Sequence, residues 1–171
     1  MMKNCNDVRS PTGDEQEALA QLWFTAWRDG HASILPAEVV QARTLENFRA
    51  RLPAMMEDIG VIGEPGSPVG FYRLHGEELE QFFVAAGGRG SGVATTLIRA
   101  AERALHDRGV RVAWLACAIG NQRAARFYKK SGWTMVGPRT TRLDLSGREY
   151  LLDVWAFEKR LMGERCLRIQ C

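Results

Sequence analysis

One stretch of the chain has four glycines within six residues: Val84-Ala85-Ala86-Gly87-Gly88-Arg89-Gly90-Ser91-Gly92-Val93-Ala94. It follows a predicted strand, Leu79–Val84, and leads into a predicted helix, Thr95–Arg108. Glycines lack the side chains that would keep a ligand away from the backbone, and the N–H groups that start a helix have no partner within that helix. The helix dipole adds partial positive charge at the same point. The stretch therefore predicts a site for a phosphate or pyrophosphate group.

Two common phosphate-binding motifs do not fit this stretch. A mononucleotide P-loop has the pattern Gly-x-x-x-x-Gly-Lys-Ser/Thr, but no lysine lies between Lys3 and Lys129. A dinucleotide-binding loop has the pattern Gly-x-Gly-x-x-Gly/Ala, and its last position here is Val93 or Thr95. The alternative to a ligand site is an ordinary strand-to-helix turn.

The spacing that does fit is Arg89-x-x-Gly92-x-Ala94. It resembles the acetyl-CoA pyrophosphate loop of the GNAT N-acetyltransferase superfamily, whose pattern is Arg/Gln-x-x-Gly-x-Gly/Ala. A second segment resembles the other cofactor motif of that superfamily, Asn-x-x-Ala-x-x-Phe/Leu-Tyr-x-x-x-Gly-Phe/Trp. Here it is Asn121-Gln122-Arg123-Ala124-Ala125-Arg126-Phe127-Tyr128-Lys129-Lys130-Ser131-Gly132-Trp133.

The second segment also has the pattern of a helix. Asn121 is a favourable N-cap residue, and Gly132 is typical of a helix C-terminus. Because Asn121 and Tyr128 are about two helical turns apart, their side chains lie on one face. An ordinary core tyrosine is the alternative for Tyr128 alone, but the two motifs occur together and in the order found in the superfamily.

The composition excludes several classes of protein. The 171 residues fit one domain with a sizeable core. A net charge of +3 does not indicate a nucleic-acid surface, no apolar run is long enough for a membrane span, and the N-terminal segment lacks the apolar region of a signal peptide. The four cysteines (Cys5, Cys117, Cys166 and Cys171) have neither metal-ligand spacing nor a compact disulfide pattern. We expect a cytoplasmic protein with no metal, nucleic-acid or membrane partner.

Hydrophobic periodicity predicts a mixture of strands and helices. Strands are predicted at Val8-Arg9, Ile59–Ile62, Val69–Leu74, Leu79–Val84, Arg111–Cys117, Trp133–Val136 and Tyr150–Phe157. Helices are predicted at Asp14–Asp29, at Ala37–Met56 with a break near Arg43-Thr44, at Thr95–Arg108 and after Asn121. The fourth and fifth strands and the helix between them form a crossover unit. The predicted fold is a single α/β domain over residues 1–171, with a core of about 8–161 and a C-terminal tail at 162–171. Its mixed, mostly antiparallel sheet carries helices on both faces.

The resemblance implies how acetyl-CoA would bind as acyl donor. In GNAT enzymes the parallel strands, here the fourth and fifth, splay apart and the pantetheine arm enters the gap. The exposed backbone of Phe82, Phe83 and Val84 would receive it, and one of their N–H groups would hold the acetyl oxygen. The pyrophosphate would be surrounded by Gly90, Ser91, Gly92, Val93, Ala94 and Thr95, with Arg89 beside them. Asn121 would hydrogen-bond the arm, and Tyr128 would protonate the departing thiolate.

The general base is not fixed by the resemblance. Many GNAT enzymes carry a glutamate five residues before the motif asparagine, and that position is Ala116 here. Others carry it on the strand before the glycine turn, where the matching residue is Glu78, and Glu80 shares its strand face. Either carboxylate could take the proton of the amine, directly or through a water. Alternatively, Glu77, Glu78 and Glu80 form a solvated acidic turn, or a chain of waters replaces a single base.

The sequence indicates the residues of the acceptor site less clearly than those of the cofactor site. Trp27, His31 and Tyr72 are candidates to line it, although Trp27 could be a core residue and His31 a solvent-facing loop residue. The sequence predicts an acetyl-CoA-dependent N-acetyltransferase that acetylates a primary amine of a small molecule or peptide by direct attack. The alternative is a non-catalytic acyl-CoA-binding sensor, which the alanine at position 116 leaves open. Because small relatives are often dimers, we also consider a homodimer.

Overall fold

A computed structural model describes residues 7–162 of the chain, and a six-stranded sheet forms its centre. Cys5, Cys166 and Cys171, with nearly all of the predicted tail, lie outside these residues. The strands are β1 (Ile59–Glu64), β2 (Ser67–His75), β3 (Glu78–Val84), β4 (Val112–Ala118), β5 (Thr134–Leu145) and β6 (Arg148–Arg160). The helices are α1 (Gln16–His31), α2 (Ala37–Ala42), α3 (Leu45–Arg51), α4 (Val93–Asp107) and α5 (Gln122–Lys130). Short 3-10 turns occupy Gly13–Glu15, Leu52–Asp58 and Ala86–Gly88.

The strand order in the sheet is β1-β2-β3-β4-β6-β5. Neighbouring strands are antiparallel except for β3 and β4, which are parallel. Helix α4 joins this pair, because a parallel connection has to return along the length of the sheet. The predicted mixed, mostly antiparallel sheet with one parallel pair is confirmed.

Each face of the sheet has its own hydrophobic core. Helices α1, α2 and α3 cover one face, where Trp23 packs against Phe48 and against Phe71 of β2. Helices α4 and α5 cover the other face, around residues such as Leu97. Because successive strand residues point to opposite faces, Phe71 belongs to the first core and Tyr72 to the second. The middle of β2, residues 70–74, is therefore buried on both faces.

Three predicted elements in the first third of the chain differ from the structure. Val8-Arg9 is not a strand, since Arg9 forms only an isolated bridge with Val61; the predicted fourth and fifth strands are therefore β3 and β4. The helix predicted over Ala37–Met56 is divided into α2, α3 and a 3-10 turn. Its predicted break is confirmed, because Thr44 caps α3 by accepting the Asn47 N–H at 3.1 Å. Helix α1 continues to His31 rather than ending at Asp29.

The final hairpin is much longer than predicted. Strands are predicted at Trp133–Val136 and Tyr150–Phe157, whereas β5 has 12 residues and β6 has 13. Strand β5 is an edge strand with many exposed residues, so its apolar pattern is weak. An edge strand also tolerates Pro138, which interrupts the sequence pattern. The predicted turn at Ser146-Gly147 is confirmed, with φ of 56° and 86°.

Glu15 joins three segments at the start of α1. Its side chain is only 1% exposed and accepts hydrogen bonds from both terminal nitrogens of Arg9, at 2.7 and 2.8 Å. The backbone N–H groups of Thr12 and Gly66 each donate to it at 2.9 Å. The Arg9 hydrogen bonds hold the pKa of Glu15 far below its usual range, against the opposing effect of burial. The carboxylate therefore ties the N-terminal segment to α1 and to the β1–β2 turn.

We expect Glu15→Ala to lower the free energy of unfolding by about 3 kcal/mol at pH 7, since it leaves Arg9 and two N–H groups without their partner. The matched control is Glu17→Ala, which removes an exposed glutamate paired with Arg49 and should have a much smaller effect. Because folding lowers the pKa of Glu15, its contribution is fully present above the ordinary glutamate pKa of 4.5 and declines progressively as the pH falls from there toward the much lower pKa of the folded state, so a small part of it is already lost at pH 4. Urea unfolding at pH 7 and pH 4 measures both effects. Equal losses in the two variants at pH 7 would contradict this role.

Candidate active site

Strands β3 and β4 pair at one end only. Glu78 is the one β3 residue in register with β4, opposite Trp114, whose N–H donates to the carbonyl oxygen of Glu77 at 3.2 Å. On their other sides, β3 pairs with β2 and β4 pairs with β6 along their whole lengths. The two parallel strands therefore diverge, and the backbone of residues 80–84 has no partner strand on the β4 side.

A cavity of about 360 Å³ lies at this gap, and we call it the cofactor cavity. Strand β3 forms one wall, β4 and α5 form another, and the end of α1 closes one side. The candidate residues that line it are Trp27, His31, Glu80, Phe82, Phe83, Val84, Arg89, Gly90, Ala94, Asn121 and Tyr128. The structure thus brings residues of both sequence motifs to one cavity.

The glycine turn is open toward solvent at the start of α4. Gly90 and Gly92 have φ of 74° and 86°, a region that glycine adopts without the cost of a side chain. A Cβ atom at either position would meet nothing within 4 Å. The first backbone bond of the helix runs from the Thr96 N–H to the Gly92 carbonyl, so the preceding N–H groups have no helical partner.

Four of the candidate turn residues do not line the cavity. Ser91 donates its hydroxyl to the Gly88 carbonyl at 2.6 Å, and the Val93 side chain is buried in the core. Gly92 and Thr95 are likewise absent from the lining. These residues would offer a ligand their backbone N–H groups rather than their side chains.

Asp29 connects the glycine turn to α1 and α5. Its Oδ2 accepts hydrogen bonds from Arg89 at 2.5 Å and from Arg123 at 2.9 Å. These two arginines lower the pKa of Asp29. Both arginines also line the cofactor cavity. The sequence does not predict Asp29 and Arg123 as site residues, because they come together only where three segments that are distant in the sequence meet.

Helix α5 places Asn121 and Tyr128 along the cavity. The Asn121 Oδ1 caps the helix by accepting the Ala124 N–H at 3.1 Å. Its Nδ2 lies close to Gly30 of α1, where a Cβ atom would approach it to 3.3 Å. Tyr128 is buried between Phe82 and Phe157, and this burial is the main cause that raises its pKa. The same cavity contains the Cys117 thiol, whose pKa burial raises to about 11.

A second cavity of about 730 Å³ adjoins the first, and we call it the acceptor cavity. It lies between α1, α3 and the β5–β6 hairpin, and it shares Trp27, His31, Glu80 and Ala116 with the cofactor cavity. His31 stacks on Trp27 with ring centroids 5.1 Å apart. Its Nδ1 donates to the Trp27 carbonyl at 2.8 Å, because that oxygen can only accept. Burial lowers the pKa of His31.

The two candidate carboxylates differ in their surroundings. Glu80 accepts a hydrogen bond from Arg73 at 2.5 Å, so its charge already has a partner. Glu78 is half-buried at the end of β3 where the strands still pair, and it lines the acceptor cavity. Burial, and to a smaller extent Glu80, raise the pKa of Glu78 to about 7. Of the two, Glu78 has the electrostatics of a group that exchanges protons near neutral pH.

Tyr72 does not reach the site. It lines neither cavity, and its ring packs over Gly60, where a Cβ atom would lie 2.3 Å from Cζ. Its side chain faces the α4 side of the sheet, as the alternation along β2 requires. The prediction that Tyr72 lines the acceptor site therefore needs correction.

The comparisons with known proteins agree with this geometry. Residues 16–133 match the model of the Acetyltransferase (GNAT) family, which is more than half of the chain. The chain belongs to the GNAT acetyltransferase family. An uncharacterised N-acetyltransferase of Mycobacterium bovis is 38% identical over 66 residues, which cover 39% of this chain and 42% of the relative. The match thus spans less than half the length of this curated relative.

Two solved structures have the same fold. A GCN5-related N-acetyltransferase from Rhodopseudomonas palustris superposes with a TM-score of 0.71 at 22% identity, covering 94% of this chain and 99% of that one. YncA from Salmonella typhimurium, solved with its cofactor acetyl-CoA, has a TM-score of 0.67 at 16% identity, with 92% and 94% covered. At these identities the likeness establishes the GNAT fold.

Two further observations concern residues 7–162 of this GNAT protein. In that range, no three His, Cys, Asp or Glu side chains come together as candidate metal ligands. No helix in the same part of the chain is both long and apolar enough to cross a membrane.

Proposed function

We propose that the protein transfers the acetyl group of acetyl-CoA to a primary amine by direct attack of the amine nitrogen on the thioester carbonyl. One observation carries this proposal: the gap between β3 and β4 opens beside the glycine turn, and Tyr128 lines the resulting cavity. Membership of the GNAT family supports the acetyl group as the one transferred. The YncA complex with acetyl-CoA, which has the same fold, supports the donor.

The donor would lie along the cofactor cavity. The unpartnered N–H groups between Gly90 and Thr95 would bind its pyrophosphate, aided by the dipole of α4. Arg89 and Arg123 would add positive charge at that end. The pantetheine arm would run along residues 82–84 of β3, where one backbone N–H would hold the acetyl oxygen as negative charge develops there. The Asn121 Nδ2 would donate a hydrogen bond to the arm, since Oδ1 already caps α5.

Two protons have to leave the acceptor ammonium during the reaction. Glu78 would take the first, which frees the nitrogen lone pair for attack on the carbonyl carbon. The tetrahedral intermediate then loses the second proton as the carbon–sulfur bond breaks. Tyr128 would protonate the departing thiolate, and the second proton released from the nitrogen would restore the phenol, while Glu78 gives the first proton to solvent. The products are the acetylated amine, the thiol of CoA and one proton released to solvent.

The raised pKa of Tyr128 is compatible with this role. A thiolate that forms in the same cavity is also destabilised by burial, as the raised pKa of the Cys117 thiol indicates. Both the phenol and the nascent thiol therefore favour their neutral forms. Proton transfer between them replaces one buried anion by another, so the transfer is not steeply unfavourable.

Gly92→Ala should weaken CoA binding, because a methyl group would enter the open turn at a backbone φ that disfavours alanine. CoA at a hundred times its Kd stabilises a folded protein by about 2.7 kcal/mol, and we expect the variant to lose most of this gain at the same CoA concentration. Gly109→Ala is the matched control, since Gly109 has φ of 85° and equally open space but lies beyond the far end of α4. Thermal unfolding with and without CoA measures both. An equal CoA-induced shift in the two variants would remove the turn from the site.

Tyr128→Phe should lower kcat by about a hundredfold, the range of a lost general acid. The KM for acetyl-CoA should change little, since the ring and its packing remain. Thiol release from acetyl-CoA across a panel of amines gives both constants. Unchanged kcat would exclude Tyr128 as the proton donor. Binding of CoA by the parent protein without thiol release for any amine would favour the sensor over the enzyme.

Activity should rise with pH through about 7, because Glu78 must be deprotonated to accept a proton and its pKa lies there. In Glu78→Gln the rise of kcat/KM near pH 7 should disappear. Only the rise at higher pH, which is caused by deprotonation of the amine itself, should remain. The neighbouring Glu77 is exposed, so Glu77→Gln serves as the control and should keep the parent profile. If kcat/KM of Glu78→Gln still rises near pH 7, the general base is another group.

A further inference from the structure

The acceptor cavity contains an arginine that has no anionic partner. Arg51, at the end of α3, lines the cavity and lies over the Trp23 ring at 4.6 Å and the Phe48 ring at 6.0 Å. It forms no ion pair with any carboxylate among residues 7–162, and the two acids that act on it electrostatically, Glu80 and Asp144, make their hydrogen bonds with other groups. Its guanidinium group thus lies over aromatic rings but donates no hydrogen bond to any of the described residues.

The acids around Arg51 already have other partners. Glu80 is bonded to Arg73. The Asp144 carboxylate accepts the Gly147 N–H at 2.7 Å, and Glu46, which also lines the cavity, pairs with Arg49 at 3.4 Å. Glu78 at the β3–β4 junction and Arg51 on α3 are therefore the two charged groups of this cavity without a hydrogen-bonded partner in the described residues.

Several hydrogen-bond donors close to Arg51 are buried. Arg43 is 5% exposed and uses one nitrogen for the Asn47 side chain and the Asp144 carbonyl. Two buried side-chain nitrogens nearby, Nε1 of Trp23 and Nε of Arg73, have no acceptor among the described residues. Desolvation and the neighbouring Arg43 lower the pKa of Arg51 to about 10. A half-buried cation without a hydrogen-bonded partner is costly to keep, and an anionic ligand would offset that cost.

We propose that the acceptor is a small primary amine that also carries a carboxylate, which Arg51 binds while the amine lies at Glu78. This inference rests on the proposed acetyltransferase function. The planar guanidinium matches a carboxylate through two parallel hydrogen bonds. A carboxylate fits better than a phosphate, because Glu78, Glu80 and Asp144 would repel a dianion more than a monoanion.

The test compares amino acids with their α-amides, which lack the carboxylate but retain the amine and the side chain. We expect the parent protein to acetylate the acids with a kcat/KM at least about tenfold higher than that of the amides, the range of a charge-assisted hydrogen bond. Arg51→Met keeps an aliphatic stem over Trp23 and should reduce this ratio to near one, with the KM for acetyl-CoA unchanged. Arg28→Met is the matched control and should keep the ratio, since Arg28 also lies over an aromatic ring, that of Phe24 at 5.6 Å, but lines neither cavity. A phosphate-bearing amine such as phosphoethanolamine should react more slowly than the amino acids.

The outcomes separate this inference from the proposed function. The role of Arg51 would be overturned if the parent acetylated amides and acids equally well, or if Arg51→Met kept the parent's ratio of kcat/KM for acids over amides. Either result would leave the acetyltransferase function in place. Thiol release for no amine at all would instead overturn the proposed function. In that case thermal unfolding with N-acetyl amino acids and their amides still tests the site, because the carboxylate should stabilise the parent and not Arg51→Met. Equal stabilisation by the two ligands would refute carboxylate recognition.

Discussion

The divergence of β3 from β4 is the constraint on which the rest of the site depends. Two parallel strands that stayed paired would satisfy each other's backbone groups and leave no gap. Here each strand stays paired on its outer side, β3 with β2 apart from one irregularity at Glu80 and β4 with β6, so the sheet remains intact while its middle opens. The opening starts immediately after Glu78. As a result, unpaired backbone and the start of α4 border a single cavity.

The charges around this opening differ between its two ends. At the α4 end, Asp29 holds Arg89 and Arg123 together, which keeps two cations beside the unpartnered N–H groups. At the junction end, Glu78 has a raised pKa because it is half-buried beside Glu80. Trp27 and His31 lie between the two ends and border both cavities. In the proposed function, this arrangement would separate the binding of an anionic cofactor from the handling of an amine proton.

The parts of the site that depend on local backbone geometry are predictable from sequence. The glycine turn and the α5 motif each lie within about a dozen residues, and their conformations follow from glycine and N-cap preferences. The acceptor cavity is different, because it forms where α1, α3 and the β5–β6 hairpin meet. The length of this hairpin is hard to predict from the sequence, because β5 is an exposed edge strand and contains Pro138. Tyr72 lies on the α4 side of the sheet, away from the acceptor cavity, because successive strand residues point to opposite faces. Arg51 is recognisable only once its lack of a partner among the described residues is seen.

We propose that the start of α4 and the gap between β3 and β4 together hold acetyl-CoA, and a crystal structure of the complex would show whether they do. We expect pyrophosphate oxygens within about 3.2 Å of backbone nitrogens between Gly90 and Thr95, and a pantetheine arm lying between β3 and β4 with its thioester beside Tyr128. A pyrophosphate bound away from the α4 N-terminus, or an arm outside the gap, would contradict it.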